Sequence, residues 1–439
     1  MKKLKAYAGL FFVLGLFLIN AIVWFTAEPL FEQPIESLIG QWQGSNILLG
    51  FTVVFFLATK NRVVVSVFDG LERSYKYHRV LAMGSLFLVF FHAAFSHLIW
   101  QNFIAGLPLD PRAMGALARN LFIGLIVVAL MAKYIKYEHW RLIHRLMIIP
   151  YLAASYHAFA LSSYPLLNGS LLSVWMIFMV TVGTLSSAYM VFMYRYVGFP
   201  FKGEIVKVTR LNETVTELEV KLEEAYPFLS GQFTFIKIKD KPFNNVPHPF
   251  SISGTQEGHV CFTIKAIGDF TKDIYQSLTA GTMIHLGKPL GHMTFDTHKP
   301  EQVWLAGGIG VTPFLSHLRT QHHPHQSITL YYAVNDKKEA VHLDLLEQTQ
   351  KTHPSFKYHL VEAKTQGYIQ VDSIDFSKAP DILMCGPRPM ALSLAKAIKK
   401  KVPDLRLTFE AFSFTGTLVE DTLRIQKNIV KKFKRKNVA

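Results

Sequence analysis

Four histidines stand in otherwise apolar sequence between residues 78 and 157, and they fall into two pairs: His78 with His92, fourteen residues apart, and His144 with His157, thirteen apart. An imidazole in hydrocarbon is costly unless a partner satisfies it, so ionisable residues at membrane depth read as functional. Iron is such a partner. At about 1.5 Å of rise per residue, the two histidines of each helix lie roughly 20 Å apart along its axis. Two helices side by side can therefore hold two stacked haems, each gripped by one histidine from each helix. At about 100° per residue, fourteen steps return His92 to within about 40° of His78, on one helical face. Thirteen steps leave His157 about 140° from His144, and Pro150 between them supplies a kink that alters register. Any one helical histidine reads more readily as a hydrogen-bonded structural residue. Two matched pairs on two apolar helices point to haem ligation.

The elements that must carry these residues are long apolar runs. The chain has 439 residues, 50% hydrophobic and 18% charged, which implies two or three domains and a membrane segment. Uncharged runs cover Ala6 to Ala27, Ser37 to Thr59 and Val80 to Leu109, and Ala113 to Ala132 is broken only by Arg119. From Leu146 to Tyr194 there is no charged side chain, with a turn-rich break from Leu161 to Ser170, so this stretch makes two spans. Six helices result. The first run lacks a small-residue cleavage site and reads as a span instead of a signal peptide. Lysines and arginines gather on one set of flanks (Lys2, Lys3, Lys5, Lys60, Arg62, Arg73, Lys76, Arg79, Lys133, Lys136, Arg141, Arg145, Arg195, Lys202), and the other set holds Glu28, Glu32, Glu36, Asp110, Arg112 and Arg119. The basic side is cytoplasmic. His78 and His144 then share the inner end, and His92 and His157 lie nearer the outer face.

Beyond Arg195 the period changes. Short alternating runs from Phe201 to Ile238, such as Thr216 to Leu222, predict an antiparallel barrel ending near Phe295. An α/β pattern follows: a strand at Val303 to Leu305, the glycine-rich run Gly307 to Pro313, a helix from Phe314, strands at Ile328 to Val334 and Ile382 to Cys385, and a helix at Pro389 to Lys401. A glycine turn between strand and helix lets backbone amides approach a pyrophosphate at the positive helix end. The predicted fold class is a multi-domain membrane protein: a six-helix transmembrane α-bundle (1–198), an antiparallel β-barrel FAD-binding domain (199–298), an α/β parallel-sheet nucleotide-binding domain (299–414) and a basic extension (415–439). The two cysteines, Cys261 and Cys385, are too few for a disulfide framework or a thiolate zinc site. The formal charge of +15 comes without a helix-turn-helix, zinc-finger or RNA-binding signature, so no nucleic-acid partner is expected.

The order His248-Pro249-Phe250-Ser251-Ile252-Ser253, Ile264-Lys265-Ala266-Ile267-Gly268-Asp269-Phe270-Thr271, Gly307 to Pro313 and Cys385-Gly386-Pro387 resembles the ferredoxin-NADP reductase superfamily. With the histidine pairs, roughly residues 5 to 414 resemble NADPH oxidases and ferric reductases, which join a six-helix haem domain to such a reductase. The resemblance implies two haem b groups on His78, His92, His144 and His157, together with FAD and NADPH, or NADH. It implies that His248, Pro249, Phe250, Ser251 and Ile252 lie against the flavin, with Ser251 near its reactive nitrogen. Lys265, Gly268, Asp269 and Thr271 would hold the FAD pyrophosphate. Gly307, Gly308, Ile309, Gly310, Val311, Thr312 and Pro313 would take the NADPH pyrophosphate, while Cys385, Gly386 and Pro387 border the nicotinamide. Phe414 matches the family's terminal aromatic over the flavin, with Phe412 as fallback.

The implied activity passes electrons from cytosolic NAD(P)H to an acceptor on the outer face of the plasma membrane, dioxygen giving superoxide. A ferric or cupric ion reductase is the alternative. A redox-regulated proton or ion pathway, or a donor subunit for an extracytoplasmic enzyme, is the reading from another class, although no partner protein is required. Three departures bear on this. Oxidases of the family place an arginine near the outer haem from helix two, and here no lysine or arginine occurs between Lys5 and Lys60. His97 stands five residues past His92 as a haem-edge contact or proton donor. Asn335 and Asp336 follow a strand where a cation would grip a 2'-phosphate, with Lys337 and Lys338 as substitutes. The segment 415–439 carries Arg424, Lys427, Lys431, Lys432, Lys434, Arg435 and Lys436, with Ile425, Ile429 and Phe433 at helical spacing, and reads as a basic amphipathic helix on anionic lipid or as a solvated tail.

Overall fold

The computed structural model describes residues 7–410 except 28–34, 69, 96–107, 136, 163–165, 244, 292, 294, 296–298 and 321–325. Phe412, Phe414, His97 and the basic extension therefore lie outside the described residues. The chain divides into two compact units, the first ending at Arg195 and the second beginning at Tyr196.

In the first unit each apolar run contains a helix among the described residues: Ala8–Thr26, Ile35–Ala58, Leu71–Phe95, Pro111–Leu130, Ile148–Leu161 and Leu171–Ala188. Local chemistry sets several ends. The Asp110 carboxylate accepts from the Arg112 N–H with Pro111 at the first turn, and the Ser170 hydroxyl accepts from the Ser173 N–H. Four helices among the described residues are long and apolar enough to cross a membrane: Ala8–Thr26, Leu71–Ala94, Pro111–Leu130 and Leu171–Val197. The other two differ from the six-span expectation for separate reasons. Ile35–Ala58 is long but opens with Gln41, Gln43, Ser45 and Asn46. Ile148–Leu161 has only 14 residues, because the chain breaks at Leu146 and Met147 after the helix Tyr137–Arg145.

That break corrects the proline argument. Pro150 lies in the first turn of the later helix, where no donor is required, so it does not kink a continuous one. The register change occurs one turn earlier, through tight bonds from the N–H groups of Leu146, Met147 and Ile149 to the carbonyls of Ile143, His144 and Leu146.

Trp24, Leu48, Leu49, Phe51, Leu57, Phe122 and Tyr151 fill the bundle core, with Phe51 stacked on Phe122 at 4.0 Å. Its outer surface is apolar too, exposing Phe11, Leu18, Phe87, Phe90, Phe178 and Leu185. A surface of this kind suits lipid. Several buried polar groups are matched inside: Asn20 donates to Ser45 and Asn46 and accepts from the Trp175 indole, and Thr52 meets the Tyr151 hydroxyl at 2.6 Å.

The second unit holds two sheets. The first is antiparallel, from β1 (Phe201–Arg210), β2 (Val215–Leu222), β3 (Phe233–Ile238), β4 (His248–Ser251), β5 (Gly254–Gln256), β6 (His259–Lys265) and β7 (Met283–Leu286), in the order β4-β3-β7-β1-β2-β6-β5. Ile205, Leu218, Val220, Ile236, Ile252, Phe262 and Ile284 pack its core. β4 is an edge strand, which tolerates Pro249 and its missing donor. The second sheet is parallel, from β8 (Glu301–Gly307), β9 (Ser327–Val334), β10 (Phe356–Glu362), β11 (Asp381–Cys385) and β12 (Leu407–Glu410), in the order β10-β9-β8-β11-β12. The chain winds outward from β8 to β10 and then returns to the other side of β8, so the winding reverses between β8 and β11. β10 and β12 were not among the expected strands. Lys357 and His359 in β10 and the shortness of β12, four residues, hide both from hydrophobic alternation.

Candidate functional site

The helix Leu71–Phe95 carries both His78 and His92, while His144 and His157 sit on the helices either side of the 146–147 break. The ring centres of His78 and His144 are 6.2 Å apart, as are those of His92 and His157. Two imidazole nitrogens bonded to one metal at roughly 2 Å each place their ring centres roughly 6 Å apart. Both pairs therefore leave room for one metal ion between two imidazoles. Three of the rings are oriented from behind: His78 Nδ1 lies 2.9 Å from the Val54 carbonyl, His92 Nδ1 3.2 Å from Gly40 and His157 Nδ1 2.9 Å from Pro111. With Nδ1–H donating to a carbonyl, the Nε2 lone pair is left for a metal. His144 is held differently, stacked on Trp140 at 4.9 Å, and its buried Nδ1 has no hydrogen-bond partner among the described residues.

One glycine makes room for a ring of these pairs, and another lies beside a second ring with space for ordinary contact. A Cβ at Gly115 would lie 2.4 Å from His157 Nδ1, and one at Gly44 would touch His92 at 3.6 Å. Neither was singled out from the sequence, where a glycine inside a helical run is the available signal. Among the described residues no three metal-ligating side chains converge. Two ligands per site suit a metal that brings its own equatorial ligands, as haem iron does.

In the second unit two sequence motifs meet at one place. His248 on β4 stacks on Phe270 at 3.7 Å, and Phe250 lies 6.2 Å from the same ring. Phe270 opens the helix Asp269–Ser277, so the β4 edge and that helix start share one site. The Thr271 hydroxyl accepts from the N–H groups of Ile267 and Gly268 and donates to the Gly268 carbonyl, while space beside Gly268 stays open. An open helix start of this kind fits a diphosphate, and the half-buried β4 residues fit a planar ring. Ser251 and Ile252 are buried. Lys265 is committed elsewhere: its ammonium lies 2.8 Å from Glu339 Oε2 and accounts for that ion pair before any phosphate contact. Phe270 lay within the expected flavin motif, but its stacking role is visible only in the fold.

The nucleotide turn lies where the parallel sheet reverses direction. Gly307 ends β8, Gly308 to Val311 form a tight 3-10 turn, and the helix Thr312–Thr320 follows. Cys385 ends the neighbouring β11, followed by Gly386 and Pro387. The two turns touch through backbone: a Cβ at Gly310 would lie 2.4 Å from the Cys385 carbonyl oxygen, and one at Gly386 would lie 3.0 Å from Gly307 Cα. Gly308 has φ +52 and Gly386 φ +158. Open α/β sheets bind ligands at this reversal, outside the carboxyl ends of the strands. Past β9, the Asp336 carboxylate is paired with Lys364 at 2.8 Å, and the Lys337 N–H donates to Glu362.

Residues 201–343 match a family model described as an FAD-binding domain, and residues 304–396 one described as an oxidoreductase NAD-binding domain. The chain is 26% identical over 216 residues to the toluate 1,2-dioxygenase electron transfer component of Pseudomonas putida, covering 45% of this chain and 63% of that protein. It is 34% identical over 125 residues to Dual oxidase 2 of Rattus norvegicus, covering 26% of this chain and 8% of that protein. A solved FAD/NAD-binding domain of nitric oxide dioxygenase from Vibrio cholerae aligns at 17% identity and a TM-score of 0.43, over 49% of this chain and 99% of that one. Residues 201–396 thus carry an FAD-binding domain followed by an oxidoreductase NAD-binding domain, the pair of domains found in ferredoxin-NADP reductase-like flavoproteins.

Proposed function

We propose that this chain is a transmembrane oxidoreductase that draws electrons from cytosolic NADPH, or NADH, through FAD and two b-type haems to an acceptor on the outer face of the cell membrane. The observation that carries the reading is the pair of 6.2 Å imidazole gaps, in the same chain as a flavin and a nucleotide domain. His78 with His144 and His92 with His157 would hold the haems, and His248 to Ser251 with the Gly268 turn would hold the flavin. Gly307 to Pro313 and Cys385 to Pro387 would hold the nucleotide. When bound, these groups convert the two-electron chemistry of a hydride donor into single-electron delivery.

The protein's own residues do the rest. The carbonyls of Val54, Gly40 and Pro111 fix the tautomer and aim of their histidines. Each histidine pair would hold its haem from both helices, and the group so held would supply single-electron delivery without binding the acceptor at its metal. Dioxygen, giving superoxide, is the acceptor in this reading. A ferric or cupric ion reductase is the second, favoured by the helix Ile35–Ala58, which carries no basic residue. The lysine and arginine flanks put both termini and the reductase domains in the cytoplasm.

Purified protein should give a reduced b-type spectrum with two haems per chain, and His92→Ala should remove one of them. A spectrum without a b-type Soret band sinks the proposal. Turnover with dioxygen, ferric chelate and cupric ion, each with and without superoxide dismutase, separates the two acceptor readings.

A further inference from the structure

The helix Thr312–Thr320, which starts at the nucleotide turn, reaches back to the antiparallel sheet through Arg319. Arg319 Nη1 donates to Glu217 Oε1 on β2 at 2.7 Å, and Nη2 donates to Oε2 at 3.3 Å. Nη1 also donates to the Ser253 carbonyl at 3.4 Å, two residues past Ser251. His342 closes the cluster: its Nε2 lies 3.3 Å from Glu217 Oε1 and its Nδ1 3.3 Å from Arg319 Nη2. A neutral ring with its proton on Nε2 satisfies both contacts. The Thr263 hydroxyl on β6 donates to the same carboxylate at 3.0 Å. Gly254 follows Ser253 with φ +116, and a Cβ there would lie 2.8 Å from Arg319 Cβ. The side chains of Glu217, Arg319 and His342 are all at most 10% exposed.

Burying such a group is a weak source of stability, because the cost of desolvation offsets the attraction. What a guanidinium fork on a carboxylate does supply is direction, since the two planes meet in one geometry. The cluster joins the segment just after the flavin strand to the helix just after the nucleotide turn, and it takes no part in either motif. Resting on the functional reading above, we propose that Glu217, Arg319 and His342 are positioning residues for hydride transfer: a buried joint that holds the two sheets in the register in which NAD(P)H, oxidised by two electrons, meets FAD, reduced by the same two. Small misplacements of reacting atoms are expensive in rate, so the joint should act on the limiting rate more than on nucleotide affinity.

The decisive variant is Glu217→Met with Arg319→Met in the full detergent-solubilised chain, because removing both charges leaves neither carboxylate nor guanidinium buried without its counter-charge. Its flavin content, melting temperature and nucleotide Kd should match wild type, while the limiting rate of flavin reduction in stopped flow falls about tenfold or more. In flavin-free protein, hydrogen exchange should speed up together at Gly254–Gln256 and Thr312–Thr320. Wild-type rate and wild-type exchange in the double variant overturn the joint. Arg319→Lys, which keeps the charge and loses the fork, carries the same expectation if the double variant does not accumulate. Should the wild-type protein bind FAD and accept electrons from neither nucleotide, the functional reading fails, and the exchange experiment still decides the joint.

Discussion

A Cβ at Gly115 would lie 2.4 Å from His157 Nδ1, the nitrogen held at 2.9 Å by the Pro111 carbonyl. Gly115→Ala must therefore push the ring off its carbonyl and out of line with His92. The variant should lose half of the haem measured by pyridine haemochromogen, whereas Gly124→Ala on the same helix, where a Cβ meets nothing within 4 Å, should keep all of it. Equal haem in both variants would remove Gly115 from the account. Gly310 makes a parallel case in the nucleotide turn. Its added Cβ would meet the Cys385 carbonyl oxygen at 2.4 Å, and backbone does not yield as a flexible side chain does. Gly310→Ala should raise the nucleotide KM by about tenfold, roughly 1.4 kcal/mol of lost binding, with FAD content unchanged. Unchanged KM would place the nucleotide elsewhere.

Among the elements, β2 carries the most consequential buried charge. Burial pushes the Glu217 carboxyl upward, but hydrogen bonds from His342 and Arg319 outweigh it and hold the group at about 2, against an ordinary 4.5. A depressed carboxylate binds its proton more weakly folded than unfolded. Its stabilisation is therefore complete above about 4.5 and is lost as pH falls toward about 2. A shift of that size corresponds to about 3 kcal/mol. Denaturation followed through the buried Trp304 should show wild-type stability falling steeply across that acid window. Glu217→Gln should be less stable at pH 7 and nearly flat across the window, and a parallel acid slope in both proteins would show that other groups set it. Helix breaks are the other lesson at this scale. Periodicity and Pro150 announced a register change, but it falls at Leu146 and Met147, because three tight backbone bonds there turn the chain before the proline is reached.

For the whole molecule, topology is the testable quantity. Among the described residues four helices meet the length and hydropathy needed to span a membrane, and the apolar runs of the sequence number six. With six spans, as proposed, residue 196 would return to the side of the N-terminus, and the lysine and arginine flanks would share that side and mark it as the inner one. Protease added to right-side-out vesicles should leave residues 196–414 intact, and inside-out vesicles should release them. Cleavage in the right-side-out case would reverse the orientation. Neither result depends on whether the helix Ile148–Leu161, at 14 residues, crosses the membrane alone or with help from the preceding helix.

The sequence by itself determined what local pattern can encode. Long apolar runs became helices, the alternation in Thr216 to Leu222 became a strand, and Gly307 to Val311 became a turn between strand and helix, because each follows from period, backbone freedom and hydrogen-bond supply over a few residues. Contacts between distant segments are a different kind of information. That the ring centres of His78 and His144 come to 6.2 Å, that Phe270 stacks on His248, that β11 returns beside β8 so that Cys385 roofs Gly310, and that Arg319 reaches Glu217 were decided only by how the elements pack. Packing balances burial, register and loop closure over the whole chain at once, and no window of residues carries that balance.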